Sequence, residues 1–186
     1  VYIDYRHEIA EIMTWLVARG HRRFVLVNGN ADTNFHIFKT AKAAFSEQIR
    51  ELSLRPDEQF YFQYPPERDS YAEKIRELTT NILRAGPSAL IIHCAETAKA
   101  LICELLRRGV RVPEDISVIA FGSYDFDSEF NIPISSVDTD VREVIINAVR
   151  LLRERMENKK ILSPSIALQP HLTPRESAAK IWKPLE

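Results

Sequence analysis

Apolar residues follow two alternating patterns along this chain. Short apolar runs, typical of buried strands, lie at residues 24–27, 59–64, 89–93, 116–121 and 134–137. Apolar residues spaced three and four apart predict amphipathic helices at about residues 5–19, 34–52, 70–86, 95–109 and 140–158. Two further extended pieces are expected near residues 165–172. Because strands and helices alternate, the pattern favours an α/β fold with a doubly wound parallel sheet, covered by helices on both faces.

Capping residues agree with several of these helix ends. Ser70 with Glu73, and Asp140 with Glu143, match the capping box, in which a polar side chain and a following acid satisfy free backbone N–H groups. Gly20 stands where a C-terminal cap is expected after the first helix. These residues therefore support helices that begin near residues 70 and 140.

The topology indicates where a ligand would bind. In open α/β sheets, ligands bind outside the carboxyl ends of the strands. The loops that follow the strands here cover residues 29–34, 64–69, 93–97 and 122–127. Aromatic and polar side chains in and beside these loops are the predicted cleft-lining residues, namely Phe35, His36, Tyr64, Ser123 and Tyr124.

The sequence holds no motif typical of catalysis. It lacks a Gly-x-Ser-x-Gly nucleophile elbow, a dinucleotide-binding glycine fingerprint and zinc-ligand spacing. Cys94 lies beside His93, but neighbours on a strand point to opposite faces, so they can cooperate only if the strand has ended. Cys94 at the start of the next helix would have a lowered thiol pKa; the alternative is a small, buried, inert residue. We therefore expect no enzyme, no cofactor and no metal site.

Composition restricts the possible partners of this segment. The 186 residues include 25 basic and 26 acidic side chains, for a formal net charge of -1. Nucleic-acid-binding modules usually present a basic surface, so broad contact with DNA or RNA is disfavoured here. No apolar run approaches the roughly 20 residues of a membrane helix, and the first residues lack both an initiator Met and a signal-peptide profile. We expect a piece of a longer protein that has no membrane contact, and its two cysteines fit the reducing cytoplasm.

Four stretches, in order, resemble signatures of the LacI-type transcriptional regulators. Residues 20–25 read GHRRFV, and residues 109–121 read GVRVPEDISVIAF. Residues 133–137, PISSV, resemble the family's Pro-Leu-Thr-Thr-Val segment, and residues 172–177, LTPRES, resemble its closing Leu-x-x-Arg-Glu-Ser. The resemblance spans nearly the whole chain.

This resemblance implies a type I periplasmic-binding-protein fold, in which two α/β lobes clamp a ligand. Residues 1–4 are then the end of the first lobe, 5–122 the second lobe, 123–160 a return to the first lobe, and 161–186 the C-terminal strands and tail of the second lobe. Most of the first lobe and a DNA-binding headpiece would precede Val1. The helix at 140–158 has an apolar face, which we expect to pack against the rest of the first lobe or against another chain.

The family's ligand-binding residues are mostly replaced. Its Arg is absent from residues 34–38, its Asn-Asp pair corresponds to Cys94-Ala95, and its Phe-Asp-Asp turn reads FGS at residues 121–123. Tyr71 matches a family aromatic residue near the cleft, although core packing explains it equally well. The resemblance therefore implies that Tyr71 and Cys94 lie at the ligand site. It also implies an effector that is unusual, more aromatic or apolar than a sugar, or a cleft that has lost its ligand.

Two functions follow from this fold. The first is the effector-binding and dimerisation domain of a regulator, which senses a sugar-like or more apolar small molecule. Such a protein forms a homodimer and contacts operator DNA through its headpiece. The alternative is a solute-binding protein that serves a transporter. An enzyme is a third possibility, disfavoured because no acid, base or nucleophile is paired.

Overall fold

A computed structural model describes residues 1–28, 36–63, 70–122, 132–138, 140–157 and 165–181. The helices of this part are α1 (Tyr5–Val17), α2 (His36–Glu51), α3 (Tyr71–Ala85), α4 (Ala95–Arg107) and α5 (Val141–Glu157). The strands are β1 (Tyr2–Ile3), β2 (Phe24–Asn28), β3 (Gln59–Gln63), β4 (Ala89–Ile92), β5 (Ser117–Phe121), β6 (Ser135–Asp138), β7 (Ala167–Leu168) and β8 (His171–Thr173). A 3₁₀ turn at Pro56–Glu58 precedes β3.

Six of these strands form the central sheet, in the order β3-β2-β4-β5-β6-β8. The first five are parallel, and β8 pairs antiparallel with β6. The remaining two, β1 and β7, form a separate parallel ribbon, in which Tyr2 pairs with Ala167 and Ile3 with Leu168. The predicted α/β class and doubly wound parallel sheet are therefore confirmed.

Alternation along the strands divides the core into two layers. In β2, Phe24 and Leu26 face the layer under α1 and α2, whereas Val25 and Val27 face the layer under α3 and α4. All four side chains are fully buried, as the central strand of a sheet covered on both faces requires. Helices therefore pack on both faces of the sheet, and this packing holds the ends of its strands at defined positions.

The helix caps agree only in part with the sequence. Asp140 caps α5, because its carboxylate accepts the N–H groups of Arg142 at 2.8 Å and Glu143 at 3.4 Å. The capping box predicted at Ser70 is wrong, since the Ser70 hydroxyl makes no capping bond. With ψ at 16° the Ser70 backbone lies outside the extended region that directs a cap hydroxyl onto the helix. Gly20 follows the end of α1 with φ at +95°, a conformation that glycine adopts without steric cost.

Helix α5 exposes its apolar face. Only Leu151 of this helix is buried. Six other apolar side chains are 57% to 72% exposed, namely Val141, Ile145, Ile146, Val149, Leu152 and Met156. The apolar face expected from the sequence is thus uncovered in the described part of the chain. No helix among the described residues is long and apolar enough to cross a membrane.

Candidate functional site

A group of aromatic and polar side chains lies at the carboxyl edge of the sheet. Asn28 ends β2, His93 directly follows β4, and Phe121 ends β5. Helices α1 and α2 begin at the same edge, because each helix precedes a strand that runs the opposite way, and they bring Tyr5 and Phe38 to it. These five residues are called the edge cluster below.

His93 is the centre of the edge cluster. Its imidazole contacts the rings of Tyr5, Phe38 and Phe121, with centroid distances of 5.9, 5.1 and 5.0 Å and interplanar angles of 76°, 89° and 77°. Edge-to-face packing of this kind is favourable between aromatic rings. Both ring nitrogens are buried, and neither has a hydrogen-bond partner within the described residues. Burial lowers the pKa of His93 to about 4, so the ring is neutral at pH 7.

Asn28 connects the end of β2 to the start of α2. Its side chain is fully buried, and its amide nitrogen donates to the carbonyl of Phe38 at 2.8 Å. The backbone N–H of His93 donates to Val27 at 2.9 Å and so extends the β2–β4 ladder beyond β4. These bonds fix the backbone positions of Phe38 and His93 and so restrict where their rings can lie.

A buried acid lies one turn into α1. Glu8 is 3% exposed, and its Oε2 atom has no partner within the described part. Burial raises the pKa of Glu8 to about 8, with further contributions from the carboxylates of Asp4 and Glu11. Burial, and then Glu8, raise the pKa of Tyr5 to about 12. At pH 7 Glu8 is mostly a neutral carboxylic acid and Tyr5 a neutral phenol, so both side chains are uncharged hydrogen-bonding groups.

Tyr71 and Cys94 lie on the opposite face of the sheet. The Tyr71 hydroxyl lies 3.2 Å from Thr97 Oγ1, and burial raises the pKa of Tyr71. Tyr71 lines a groove of about 260 Å³ between α3 and α4, together with Ile75 and the exposed Cys103. The predicted cleft residue Tyr71 is therefore not part of the edge cluster.

Cys94 is the N-cap residue of α4, at the helix start where a lowered thiol pKa was one expectation. Instead, burial and a hydrogen bond to Glu96, at 2.9 Å, raise the pKa of Cys94. The thiol is protonated at pH 7 and is no activated nucleophile. Because Cys94 faces Tyr71 while His93 faces α1 and α2, the two neighbours do not cooperate.

Phe35, Tyr64, Ser123 and Tyr124 lie outside the described residues, and they stay predictions. His36 begins α2, but its side chain is outside the described part as well. Across the described ranges, no three His, Cys, Asp or Glu side chains come together as a metal site requires.

Sequence reasoning missed the edge cluster apart from its place at the strand ends. His93 reads as the last residue of an apolar run, and Glu8 interrupts the apolar stripe of α1 one turn before Ile12. A charged residue at a core position, together with a histidine at a strand end, was the available signal.

Comparisons with known proteins agree with this fold. Residues 14–178 match the family described as periplasmic binding protein-like domain. The HTH-type transcriptional repressor PurR of Aliivibrio salmonicida is 25% identical over 166 residues, which cover 89% of this chain and 49% of the repressor. PurR of Vibrio campbellii is 25% identical over 184 residues, covering 96% of this chain and 53% of its own length. The chain thus spans about half the length of these relatives.

Solved structures show the same architecture. A LacI family transcriptional regulator from Enterococcus faecium with bound ribose has a TM-score of 0.82 at 16% identity, covering 96% of this chain and 65% of its own. A sugar-binding LacI family regulator from Escherichia coli, complexed with phosphate, has a TM-score of 0.77 at 23% identity, covering 97% and 63%. At these identities the likeness concerns the fold. With the family match over most of its length, the chain belongs to the periplasmic binding protein-like domain family, in the type I fold of the LacI-type regulators.

Proposed function

We propose that this chain is the effector-binding domain of a LacI-type transcriptional regulator. The observation that carries the proposal is the alignment of 89% of the chain with about half of an HTH-type repressor. The edge cluster supports it, because the two ring nitrogens of His93, which have no partner within the described residues, lie where ligands of open α/β sheets bind. The relatives are named as transcriptional regulators, which favours this function over a solute-binding protein or an enzyme.

The proposed division into lobes follows the two sheets. The central sheet and helices α1 to α4 belong to the second lobe, and β8 joins it from the C-terminal tail. The separate pairing of β1 with β7 supports assigning both strands to the first lobe. That assignment differs from the one made on sequence for two strands, because residues 123–160, which include β6, were put with the first lobe and residues 161–186, which include β7, with the second. The exposed face of α5 supports its return to the first lobe, whose remaining part would cover it.

Regulation requires that the effector distinguish two arrangements of the lobes. A ligand shifts a conformational equilibrium only by its difference in affinity for the two states. We propose a homodimer in the cytoplasm, in which closure of the lobes around the effector changes the spacing of two headpieces on operator DNA. DNA contact would lie in a part of the protein outside this chain, in agreement with the net charge of -1.

A thermal-shift screen of the full-length protein tests the proposal. The compounds are sugars, nucleosides and aromatic acids, each followed by a DNA-binding measurement with and without the compound. A ligand at about 100 times its Kd stabilises the protein by roughly 2.7 kcal/mol. A compound that stabilises the protein and changes its DNA affinity supports the proposal. If no compound does either, an effector-binding function is contradicted.

A double substitution tests the predicted cleft. Phe35→Ala with Tyr124→Ala should leave stability nearly intact and abolish effector binding. Leu106→Ala, which removes an exposed apolar side chain on α4, serves as the control and should bind effector as the wild type does. Effector affinity that is unchanged in the double variant would show that these two residues do not line the site.

A further inference from the structure

His93 keeps two buried ring nitrogens without a partner in the described chain. A neutral imidazole has one N–H donor and one acceptor nitrogen, and both lose their bonds to water on burial. Leaving such groups unpaired destabilises the folded protein, so nearly all buried polar atoms find partners. The unpaired imidazole at a strand end therefore needs an explanation beyond packing.

The side chains in contact with His93 make no hydrogen bond to its ring nitrogens within the described residues. Phe38 and Phe121 offer only carbon atoms, and the Tyr5 ring approaches edge-on. Asn28, the buried amide at the same edge, donates to the Phe38 carbonyl and makes no hydrogen bond to the His93 ring. The partner must come from outside this set, at the edge of the sheet where ligands of this fold bind.

We propose that the imidazole of His93 hydrogen-bonds the effector, and that the effector is a neutral aromatic compound with a hydrogen-bonding group on its ring. The inference rests on the proposed function and names the ligand class of the same site. His93 is then the residue that lets the site discriminate between an aromatic ligand with a polar group and an aromatic hydrocarbon.

The surroundings of His93 account for both parts of this ligand class. The described side chains in ring contact with it carry no formal charge, so among these residues an ion would lose its hydration without gaining a counter-charge. Three aromatic rings favour another aromatic ring, through further edge-to-face or offset contacts. A sugar would need several paired polar groups at once, and a site that leaves hydroxyls unpaired rejects them.

The test uses the full-length protein labelled with ¹⁵N-histidine. Phenol and benzamide are the polar aromatic probes, toluene is the apolar probe, and ribose is the sugar probe. Phenol or benzamide should shift the ¹⁵N NMR resonances of the His93 ring, and toluene should leave those resonances nearly unchanged. His93→Phe keeps an aromatic ring but lacks both nitrogens, so it should weaken the phenol Kd about tenfold and leave the toluene Kd within about threefold.

His171→Phe is the matched control, because His171 is exposed on β8, and it should bind all probes as the wild type does. Wild-type nitrogen shifts decide the matter even if His93→Phe fails to fold. The inference is overturned if ribose binds and the aromatic probes do not, if neither phenol nor benzamide shifts the His93 nitrogen resonances, or if no probe binds. The function proposed above survives each of these results provided that some other compound changes DNA affinity.

Discussion

Ser177 and Val118 are joined by two hydrogen bonds that attach the C-terminal tail to the middle of the sheet. The Ser177 hydroxyl donates to the Val118 carbonyl at 2.6 Å, and the Val118 N–H donates to the Ser177 carbonyl at 2.7 Å. The same hydroxyl accepts the N–H of Ser135 at 2.7 Å. Val118 precedes the part of β5 that pairs with β6, so Ser177 satisfies backbone groups that β6 does not reach.

Removal of this hydroxyl should be costly. Ser177→Ala leaves the buried N–H of Ser135 without its acceptor and removes a bond to the Val118 carbonyl. We expect a loss of about 2 kcal/mol in the free energy of unfolding, measured by urea titration. Ser46→Ala is the control, because that exposed hydroxyl bonds within its own helix, and it should change stability by less than about 0.5 kcal/mol. Equal effects of the two variants would contradict the role assigned to Ser177.

Stability should depend on pH through Glu8 and His93, in opposite directions. The folded pKa of His93, about 4, lies below its unfolded value of about 6.5, so its contribution is lost as the pH falls from 6.5 toward 4. The folded pKa of Glu8, about 8, lies above its ordinary 4.5, so its contribution is lost as the pH rises from 4.5 to 8. The two changes oppose each other between pH 4.5 and 6.5, and from 6.5 to 8 that of Glu8 prevails.

Glu8→Gln isolates this effect. The wild type should lose about 2 kcal/mol of unfolding free energy between pH 6.5 and 8, and the variant should lose little of it. Glu73→Gln, which changes an exposed acid on α3, should keep the wild-type slope. Urea titrations at three pH values in this range measure the slopes. Parallel slopes in wild type and Glu8→Gln would mean that Glu8 is ionised in the folded protein.

The exposed face of α5 gives a prediction about what covers it. Ile145→Lys with Leu152→Lys should change the stability of the 186-residue chain by less than about 0.5 kcal/mol, because both side chains are more than half exposed. In the full-length protein the same change should cost at least about 3 kcal/mol, because two charges would enter the core of the first lobe. Thermal and urea unfolding of both proteins provide the comparison. Unchanged stability in the full-length protein would instead favour a second chain as the cover, as the sequence also allows.

Gly86 ends α3 with φ at +61° and ψ at 48°, in the left-handed region. A Cβ atom at Gly86 would meet the Arg23 guanidinium at an ordinary 3.6 Å, so conformation and not crowding opposes substitution. Gly86→Ala should lower the unfolding free energy by about 1 kcal/mol, and Gly86→Asn by less, because asparagine tolerates this region. If alanine and asparagine cost the same, the cap does not take this conformation.

The sheet could be predicted from the sequence because its signals are local. The strands β2, β4 and β5 of the parallel sheet appear as apolar runs, β3 as an aromatic-rich run, and each helix as a stripe with a three- and four-residue spacing. The ribbon of β1 and β7 could not be predicted in this way, because two-residue strands carry no period and their pairing joins distant parts of the chain. The failed cap at Ser70 has a similar cause, since the motif does not determine the backbone angle.

The candidate site was harder to predict from the sequence than the fold. Topology predicted the edge of the sheet, but not which side chains meet there. His93 becomes distinctive only when Tyr5, Phe38 and Phe121 surround it, and these residues come from three separate elements. Tyr71 and Cys94 were selected by resemblance, which cannot show on which face of the sheet a replaced residue lies.

Asp4 is the one residue between β1 and α1, and it is held from both sides. Its N–H donates to the Leu168 carbonyl at 3.1 Å, and its carboxylate accepts the N–H groups of Arg6 and His7. The connection therefore has no slack with which to absorb a rotation. A turn of the ribbon would therefore displace Tyr5, the next residue, whose ring contacts the imidazole of His93.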